Sequence, residues 1–327
     1  MTTRLEAILA RPGPVLLDGA VGTELSRRGV DTTLPLWSAR ALLSDGGLQT
    51  LARIHEEYAR AGAEILVTNT FRTTPRALRR AGVPGEWEAA NRRAVECARA
   101  GAAAGSAEAP GGGAAAPGRR VPLVAGGLAP LEDCYRPDLV PPQPECLAEH
   151  ARQAECLAGL GVDLLFIETM NCGREAEAAL LAASGTGLDV LLSLCPRPPA
   201  HLLSGEPLAE VVPRLVDLGG TRLRGILINC ATPEAMDEVY PAFSALSPAL
   251  PHGLYAHLGE PDDVTGWRLP EHHEPEAYAS WMDRRLDERA RLAGGCCGTG
   301  PGHIEALAGL IAGRGRSASG RPPRSSS

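Results

Sequence analysis

The chain has 327 residues, of which 44% are hydrophobic and 22% are charged, with a formal net charge of −7. This length allows one large domain or two ordinary ones. The arginines are interspersed with acids instead of clustered, so we expect no nucleic-acid partner. The N-terminus lacks a signal peptide's apolar region, and no segment approaches the ~18 apolar residues of a membrane span, so we expect no membrane partner. Nine cysteines without the spacing of a disulfide framework indicate a reducing compartment and predict a cytoplasmic protein.

Eight short apolar runs of strand type alternate with eight stretches of helical period. The runs cover residues 15–20, 65–71, 121–127, 164–169, 190–196, 226–230, 254–259 and 292–297. The helical stretches cover residues 48–61, 87–99, 144–160, 174–183, 207–218, 233–246, 275–290 and 303–312. Eight such alternations predict a single (β/α)8 barrel of the TIM type, with an open doubly wound sheet as the alternative.

Two stretches fall outside this alternation. Residues at about 100–117 are almost all Ala, Gly and Pro, which predicts a flexible insertion without apolar periodicity. Residues 314–327 are rich in Ser, Arg, Gly and Pro, which predicts a disordered tail. We therefore expect one barrel domain over residues 1–313.

Polar residues stand where the predicted strands end, which is where barrel enzymes place their chemistry. In chain order they are Asp18, Asn69, Glu168, Cys230, Glu260, Cys296 and Cys297, at the ends of strands one, two, four, six, seven and eight. Strands six and eight would therefore bring three cysteines to the same face of the barrel.

The paired cysteines Cys296 and Cys297 lie inside a glycine-rich run. Adjacent residues of a regular strand point to opposite faces, so both thiols can face one point only if the glycines allow a sharp turn. Together with Cys230 they would hold a soft cation such as zinc and leave the fourth tetrahedral position open, as in a catalytic site. Two alternatives are packing as small buried hydrophobes and a vicinal disulfide between Cys296 and Cys297.

Five motifs occur in a fixed order along the chain. They are Asp-Gly-Ala-Val-Gly-Thr-Glu-Leu at 18–25, Thr-Asn-Thr-Phe at 68–71, Asp-Leu-Leu-Phe-Ile-Glu-Thr at 163–169, Asn-Cys at 229–230 and Gly-Cys-Cys-Gly at 295–298. With these motifs the chain resembles the zinc-dependent homocysteine S-methyltransferase family over essentially its whole folded length. The resemblance implies a barrel with Cys230, Cys296 and Cys297 as zinc ligands. It also implies that Asp18 and Glu168 surround the amino acid part of homocysteine, with Glu168 holding the ammonium group.

The chain departs from the family's pattern in two places. Residues 126–132 read Gly-Gly-Leu-Ala-Pro-Leu-Glu, where the family commonly has Gly-Ser-x-Gly-Pro-Tyr-Gly. Residues 256–260 read Ala-His-Leu-Gly-Glu, where the family commonly has Pro-Asn-Ser-Gly-Glu. Both departures leave the cysteines intact and concern recognition of the methyl donor.

The expected reaction moves a methyl group from a small onium donor, S-methylmethionine or S-adenosylmethionine, to the thiol of homocysteine, giving methionine. A thiol bound to zinc is deprotonated, which makes it a nucleophile at neutral pH. Betaine as the donor, a non-catalytic thiol or metal redox sensor, and a barrel hydrolase or lyase are the alternatives.

Further residues each have a functional and a structural interpretation. Asp18 and Gly19 either contact the substrate or form the turn after the first strand. Asn69 either contacts the substrate or ties loops together. Trp37 either holds a methylonium group by cation-π attraction or packs as a lid, and Glu260 would offset the same positive charge.

Overall fold

The computed structural model describes residues 2–107, 120–246, 250–262, 264, 266–269, 274–286 and 290–319. Eight strands in these ranges form one parallel sheet: β1 Val15–Leu16, β2 Ile65–Val67, β3 Leu123–Leu128, β4 Leu164–Met170, β5 Val190–Leu194, β6 Leu223–Asn229, β7 His252–Tyr255 and β8 Ala290–Ala293. Each strand pairs with the next from β2 to β8, and β8 pairs with β1. A bridge between Leu17 and Ile65 brings β1 beside β2 and closes the barrel. The predicted TIM-type (β/α)8 fold is confirmed, and this closure excludes the open sheet.

One helix precedes the first strand, and the other helices follow the strands on the outside of the barrel. They are α1 Arg4–Leu9, α2 Val21–Arg27, α3 Asp45–Ala61, α4 Pro75–Arg80, α5 Trp87–Ser106, α6 Gln143–Gly159, α7 Gly173–Gly185, α8 Leu208–Gly219, α9 Pro233–Ala245, α10 Pro275–Asp283 and α11 Pro301–Ser319. Two small hairpins, Pro196–Arg197 with His201–Leu202 and Glu260–Asp262 with Gly266–Arg268, extend the loops after β5 and β7. None of the described helices has the length and apolar character of a membrane span.

The apolar side chains form two layers. One layer fills the barrel and includes Leu17, Ile65, Phe166, Leu227 and Leu292. The larger layer lies between the strands and the surrounding helices. Because both faces of each strand are buried, the strands appear in the sequence as continuous apolar runs instead of alternating patterns.

The segment predicted as a flexible insertion begins as packed helix. Helix α5 continues to Ser106 because its glycines allow close approach to α3. A Cβ atom at Gly101 would lie 2.4 Å from the Cβ of His55, and one at Gly105 would lie 2.5 Å from the Cβ of Ala59. The prediction of a loop is therefore wrong for residues 100–106, and residues 108–119 lie outside the described ranges.

The predicted tail also begins as helix, since α11 runs to Ser319. Arg314 fastens this end of α11 to α10, with an ion pair of 2.8 Å to Asp283 and a hydrogen bond of 2.9 Å to the carbonyl oxygen of Leu286. Residues 314–319 of the predicted tail are assigned to this helix, and residues 320–327 lie outside the described ranges.

Candidate active site

A cavity of about 300 Å³ opens at the carboxyl ends of the barrel strands. The predicted site residues that line it are Asp18, Gly19, Trp37, Asn69, Glu168, Cys230, Cys296 and Cys297. Closure of the barrel brings these residues together from the ends of β1, β2, β4, β6 and β8, together with the loop that carries Trp37.

The three cysteines face this cavity because both of their strands end in sharp turns. After β6, Cys230 adopts a left-handed backbone with φ of 61°, and Thr232 then caps α9 by accepting a hydrogen bond of 3.3 Å from the amide of Ala235. After β8, Thr299 donates a hydrogen bond of 2.8 Å to the carbonyl oxygen of Cys296, which folds the Cys-Cys pair back toward the cavity.

The sulfur atoms of the three cysteines interact with one another. Contact with Cys230, and next with Cys297, holds the pKa of the Cys296 thiol well below its usual value. Contact with the Cys134 thiol is the largest of the effects that raise the pKa of Cys230. All nine cysteines are free thiols, so Cys296 and Cys297 do not form a vicinal disulfide in this structure.

The donor atoms fit zinc in their chemistry, because three thiols in one cavity form the soft ligand set that zinc prefers. Over the described ranges, no group of three or more His, Cys, Asp or Glu side chains is arranged as a ready-made metal site. The proposal of zinc binding therefore depends on the chemistry of the three thiols and on their location in one cavity.

Strained backbone is concentrated at the cavity. In the described part of the chain, the non-glycine residues with positive φ are Trp37 at 47°, Thr169 at 63° and Cys230 at 61°, and all of them line the cavity. Such conformations cost roughly 1–3 kcal/mol each and persist only where neighbouring contacts enforce them.

Asn229 supplies such contacts from the end of β6. Its Oδ1 accepts a hydrogen bond of 3.2 Å from the Thr169 amide, and its Nδ2 donates one of 2.8 Å to the Thr169 hydroxyl. We did not predict Asn229 as a site residue. The available signal was a buried amide directly before Cys230 at the end of an apolar strand.

Tyr135 is a second site residue that the sequence patterns did not indicate. Its Oη lies 3.0 Å from the sulfur of Cys230, and burial raises the pKa of this phenol. The loop that carries it is held by a hydrogen bond of 3.0 Å from Asn171 Nδ2 to the carbonyl oxygen of Cys134. Because the position of this loop depends on contacts with the segment that leads into α7, no local pattern marks Tyr135.

Two carboxylates face the cavity without a cation. Asp18 is buried and accepts a hydrogen bond of 2.9 Å from the Val67 amide. The Glu168 carboxylate passes over Gly127, where a Cβ atom would lie 2.8 Å from its Oε1. Burial raises the pKa of both groups, and the charges of Cys296 and Asp18 raise that of Glu168 further. Neither forms an ion pair with any described Arg or His, so the pair is suited to a ligand's ammonium group.

Gly19 and Asn69 line the cavity and also have structural roles. A Cβ atom at Gly19 would lie 2.8 Å from the Tyr58 hydroxyl, so only glycine lets the backbone approach here. Asn69 Nδ2 donates a hydrogen bond of 2.9 Å to the carbonyl oxygen of Ser38. Asn69 thus ties the loop after β2 to the segment that carries Trp37.

Trp37 forms an aromatic wall of the cavity. Its indole packs against two glycines, because a Cβ atom at Gly22 or at Gly266 would lie 2.5 Å from the ring. It meets Phe71 edge to face, with the ring centroids 5.8 Å apart. These contacts fix the position of the indole, which lines the cavity beside Phe71.

Glu260 is not brought to the cavity, contrary to the sequence prediction. Strand β7 ends at Tyr255, and Gly259, with φ of 94°, turns the chain into the hairpin that starts at Glu260. The Glu260 side chain is 73% exposed and lies 3.7 Å from Arg268. Asp262 of the same hairpin lines the cavity instead.

A known protein family matches nearly the whole barrel. The family model described as "Homocysteine S-methyltransferase" matches residues 15–311. The chain belongs to the homocysteine S-methyltransferase family. Members of this homocysteine S-methyltransferase family act on small molecules, namely homocysteine and a methyl donor.

Individual relatives match this chain over nearly their whole length. The homocysteine S-methyltransferase of Escherichia coli K12 is 33% identical over 312 residues, covering 93% of this chain and 97% of the relative. The selenocysteine methyltransferase of Astragalus bisulcatus is 28% identical over 319 residues, covering 89% of this chain and 90% of the relative. The crystal structure of the E. coli homocysteine methyltransferase MmuM in its metallated form superposes with a TM-score of 0.77 at 30% identity, covering 94% of this chain and 99% of MmuM. The family assignment thus extends over the whole barrel.

Proposed function

We propose that the protein transfers a methyl group from a sulfonium donor, S-methylmethionine or S-adenosylmethionine, to the thiol of homocysteine, giving methionine. The observation that carries the proposal is one cavity that combines three thiols with two carboxylates that form no ion pair with a described residue. Family membership favours this function over the hydrolase, lyase and thiol-sensor hypotheses.

Cys230, Cys296 and Cys297 are the proposed zinc ligands. These three side chains would hold the zinc, and zinc would supply the chemistry that keeps an acceptor thiol deprotonated at neutral pH. The E. coli relative MmuM has been crystallised in a metallated form, which supports a metal in that protein and, by similarity, in this chain.

Glu168 and Asp18 are proposed to hold the acceptor by its ammonium group. A hydrogen bond between charged groups contributes about 1.5–3 kcal/mol, and it would also remove the penalty of two unpaired acids in one cavity. With the ammonium group held there, the acceptor sulfur would point toward the cysteines.

Trp37 and Phe71 are proposed to face the onium centre of the donor. The acceptor sulfur forms a bond to the methyl carbon while the bond from that carbon to the sulfonium sulfur breaks, and its electron pair stays on the leaving thioether. With S-methylmethionine, both products are methionine. Holding donor and acceptor in line in one cavity makes this displacement effectively unimolecular.

The departures after β7 affect the donor side indirectly. His257 and Leu258 do not line the main cavity, but the His257 ring packs at 4.9 Å from Trp267, which does line it. An apolar aromatic surface suits a neutral thioether leaving group, which supports a sulfonium donor over betaine.

A cytoplasmic location is part of the proposal. The nine cysteines are free thiols, and reduced thiols are typical of the cytosol, whereas disulfides persist in oxidising compartments.

Four donors assayed side by side with homocysteine test the proposed reaction. We expect methionine formation to be fastest with S-methylmethionine, slower with S-adenosylmethionine, and slight with betaine or methyltetrahydrofolate. Selenocysteine is a second acceptor to include, because a relative carries that activity in its name. Betaine as the best donor would reverse the assignment, and no turnover with any donor would refute it.

Zinc content tests the proposed ligands. We expect about one zinc per chain by elemental analysis, and loss of the metal when Cys230, Cys296 or Cys297 is changed to Ala, since three ligands define such a site. Cys156→Ala on α6 is the matched control and should keep the metal. Circular dichroism should show all four variants folded, and full zinc in the three cavity variants would contradict the assignment.

A further inference from the structure

Arg72 is a cationic side chain in the cavity that the proposed reaction does not yet use. It lies in the loop after β2 and lines the cavity. Its Nε is buried and has no hydrogen-bond partner in the described part of the chain. Its Nη1 donates a hydrogen bond of 3.3 Å to the main-chain oxygen of Glu132.

Neighbouring acids do not neutralise Arg72. The Glu132 carboxylate is held by two other arginines, Arg76 and Arg80, each at 2.8 Å. Of the cavity's described acids, Asp18, Asp133, Glu168 and Asp262, none lies within ion-pair distance of Arg72. The Nε of Arg72 and its positive charge therefore have no acidic partner among the described residues, and a carboxylate is the group that a guanidinium binds best, through two parallel hydrogen bonds.

The position of Arg72 assigns this carboxylate to the donor. The guanidinium lies 5.7 Å from the centre of the Phe71 ring, and that ring packs edge to face with Trp37. Arg72 is thus beside the aromatic wall proposed for the onium group. A cationic donor that lacked an anionic group would be repelled by Arg72, because like charges at such separations cost free energy. A carboxylate on the donor converts this repulsion into attraction.

We propose that Arg72 binds the carboxylate of the methyl donor, so that the site selects onium donors that carry a carboxylate in the same molecule. The inference rests on the proposed methyltransferase function and names the donor class of that site. Arg72 forms no covalent bond in the reaction; its role is recognition of the donor.

The test compares S-methylmethionine with its carboxamide, which keeps the sulfonium and the ammonium but removes the anionic charge. For the unmodified protein, we expect kcat/KM to be roughly ten- to a hundredfold lower for the carboxamide, as for the loss of a charge-assisted hydrogen bond. Arg72→Gln should lower kcat/KM for S-methylmethionine by a similar factor and should change kcat/KM for the carboxamide little. Arg72→Lys should retain part of the preference, because it keeps the charge but not the bidentate geometry.

Arg136→Gln is the matched control. Arg136 also lines the cavity, but its guanidinium is paired with Asp138 at 2.6 Å. Its removal should therefore leave the ratio of kcat/KM between the two donors unchanged. If Arg72 had only a structural role, Arg72→Gln would lower kcat/KM equally for both donors, and this result would overturn the proposal. Equal use of both donors by the unmodified protein would overturn it as well, even if Arg72→Gln failed to fold.

Calorimetric titration of the zinc-loaded protein with each donor, without homocysteine, separates this inference from the proposed function. Tighter binding of S-methylmethionine than of its carboxamide, lost in Arg72→Gln, supports the carboxylate site whether or not methyl transfer follows. Absence of turnover together with this binding pattern would refute the methyltransferase function alone. Equal affinity for both compounds would refute the role of Arg72.

Discussion

Glu168 is the residue on which the proposed acceptor site most depends. It lies near the end of an apolar strand, passes over Gly127, and meets negative neighbours in place of a cation. A carboxylate in this position is costly for the empty protein and favourable only when a cationic ligand arrives. Its position is thus explained better by ligand binding than by stability.

Glu168→Gln should keep the fold and the zinc but weaken use of homocysteine. The charge-assisted hydrogen bond to the ammonium group becomes a neutral one, so we expect kcat/KM for homocysteine to fall roughly ten- to a hundredfold. Steady-state kinetics measure the change, and elemental analysis checks the metal. As a control, a thiol without the amino group should be a poor substrate of the unmodified protein, and its equal use would show that Glu168 has another role.

At the scale of elements, the contact of α3 with α5 shows how small residues set the outer layer. Gly101 and Gly105 are four residues apart on one face of α5, and both allow the helix axis to approach α3 closely. Small residues produce little apolar periodicity, which is why this Ala- and Gly-rich stretch has the sequence pattern of a loop. In close helix packing, however, the absence of a side chain is itself the complementary feature.

Gly101→Ala should therefore destabilise the protein, although alanine is the better helix former. The added methyl group would clash with His55 on α3, and overpacking of this kind costs about 1–3 kcal/mol. Gly159→Ala on α6 is the matched control, because no atom lies within 4 Å of its added Cβ, and it should gain up to ~1 kcal/mol from helix propensity. Urea unfolding measures both, and a stabilised Gly101→Ala variant would contradict the packing.

At the scale of the whole molecule, the cavity lowers the stability of the empty protein in a pH-dependent way. The pKa values of Asp18 and Glu168 are raised in the folded state, above unfolded values of about 3.9 and 4.3. Between the unfolded and the folded pKa values, the folded state binds more protons, so these two groups lower the free energy of unfolding as pH rises through that window. Below the unfolded values, their effect vanishes.

Asp18→Asn combined with Glu168→Gln should remove the pH-dependent decrease in the free energy of unfolding that these two groups cause. The asparagine side chain would keep an oxygen for the Val67 amide, so the fold should persist. Relative to the unmodified protein without ligand, we expect the double variant to gain free energy of unfolding progressively as pH rises from about 4 toward neutrality. Urea denaturation across this range measures the difference. The exposed Glu260→Gln should show no such gain, and parallel pH profiles for the double variant and the unmodified protein would contradict the prediction.

The sequence by itself determined the barrel and most of the residues that meet in its cavity. Eight buried parallel strands appear as eight apolar runs, and a barrel places all of their carboxyl ends at one face, so the sequence predicts that Asp18, Glu168 and the three cysteines meet there. These inferences depend on periodicity and on strand order, which are properties of the chain.

Only the tertiary structure decided which loop residues join the site. Tyr135 reaches Cys230 because Asn171 holds its loop, and Arg72 has no acidic partner among the described residues because Glu132 is already paired with two other arginines. Glu260 leaves the cavity because a single left-handed glycine, Gly259, redirects the chain. Such outcomes depend on contacts between segments far apart in sequence and on the backbone angle of one residue, which no local pattern records.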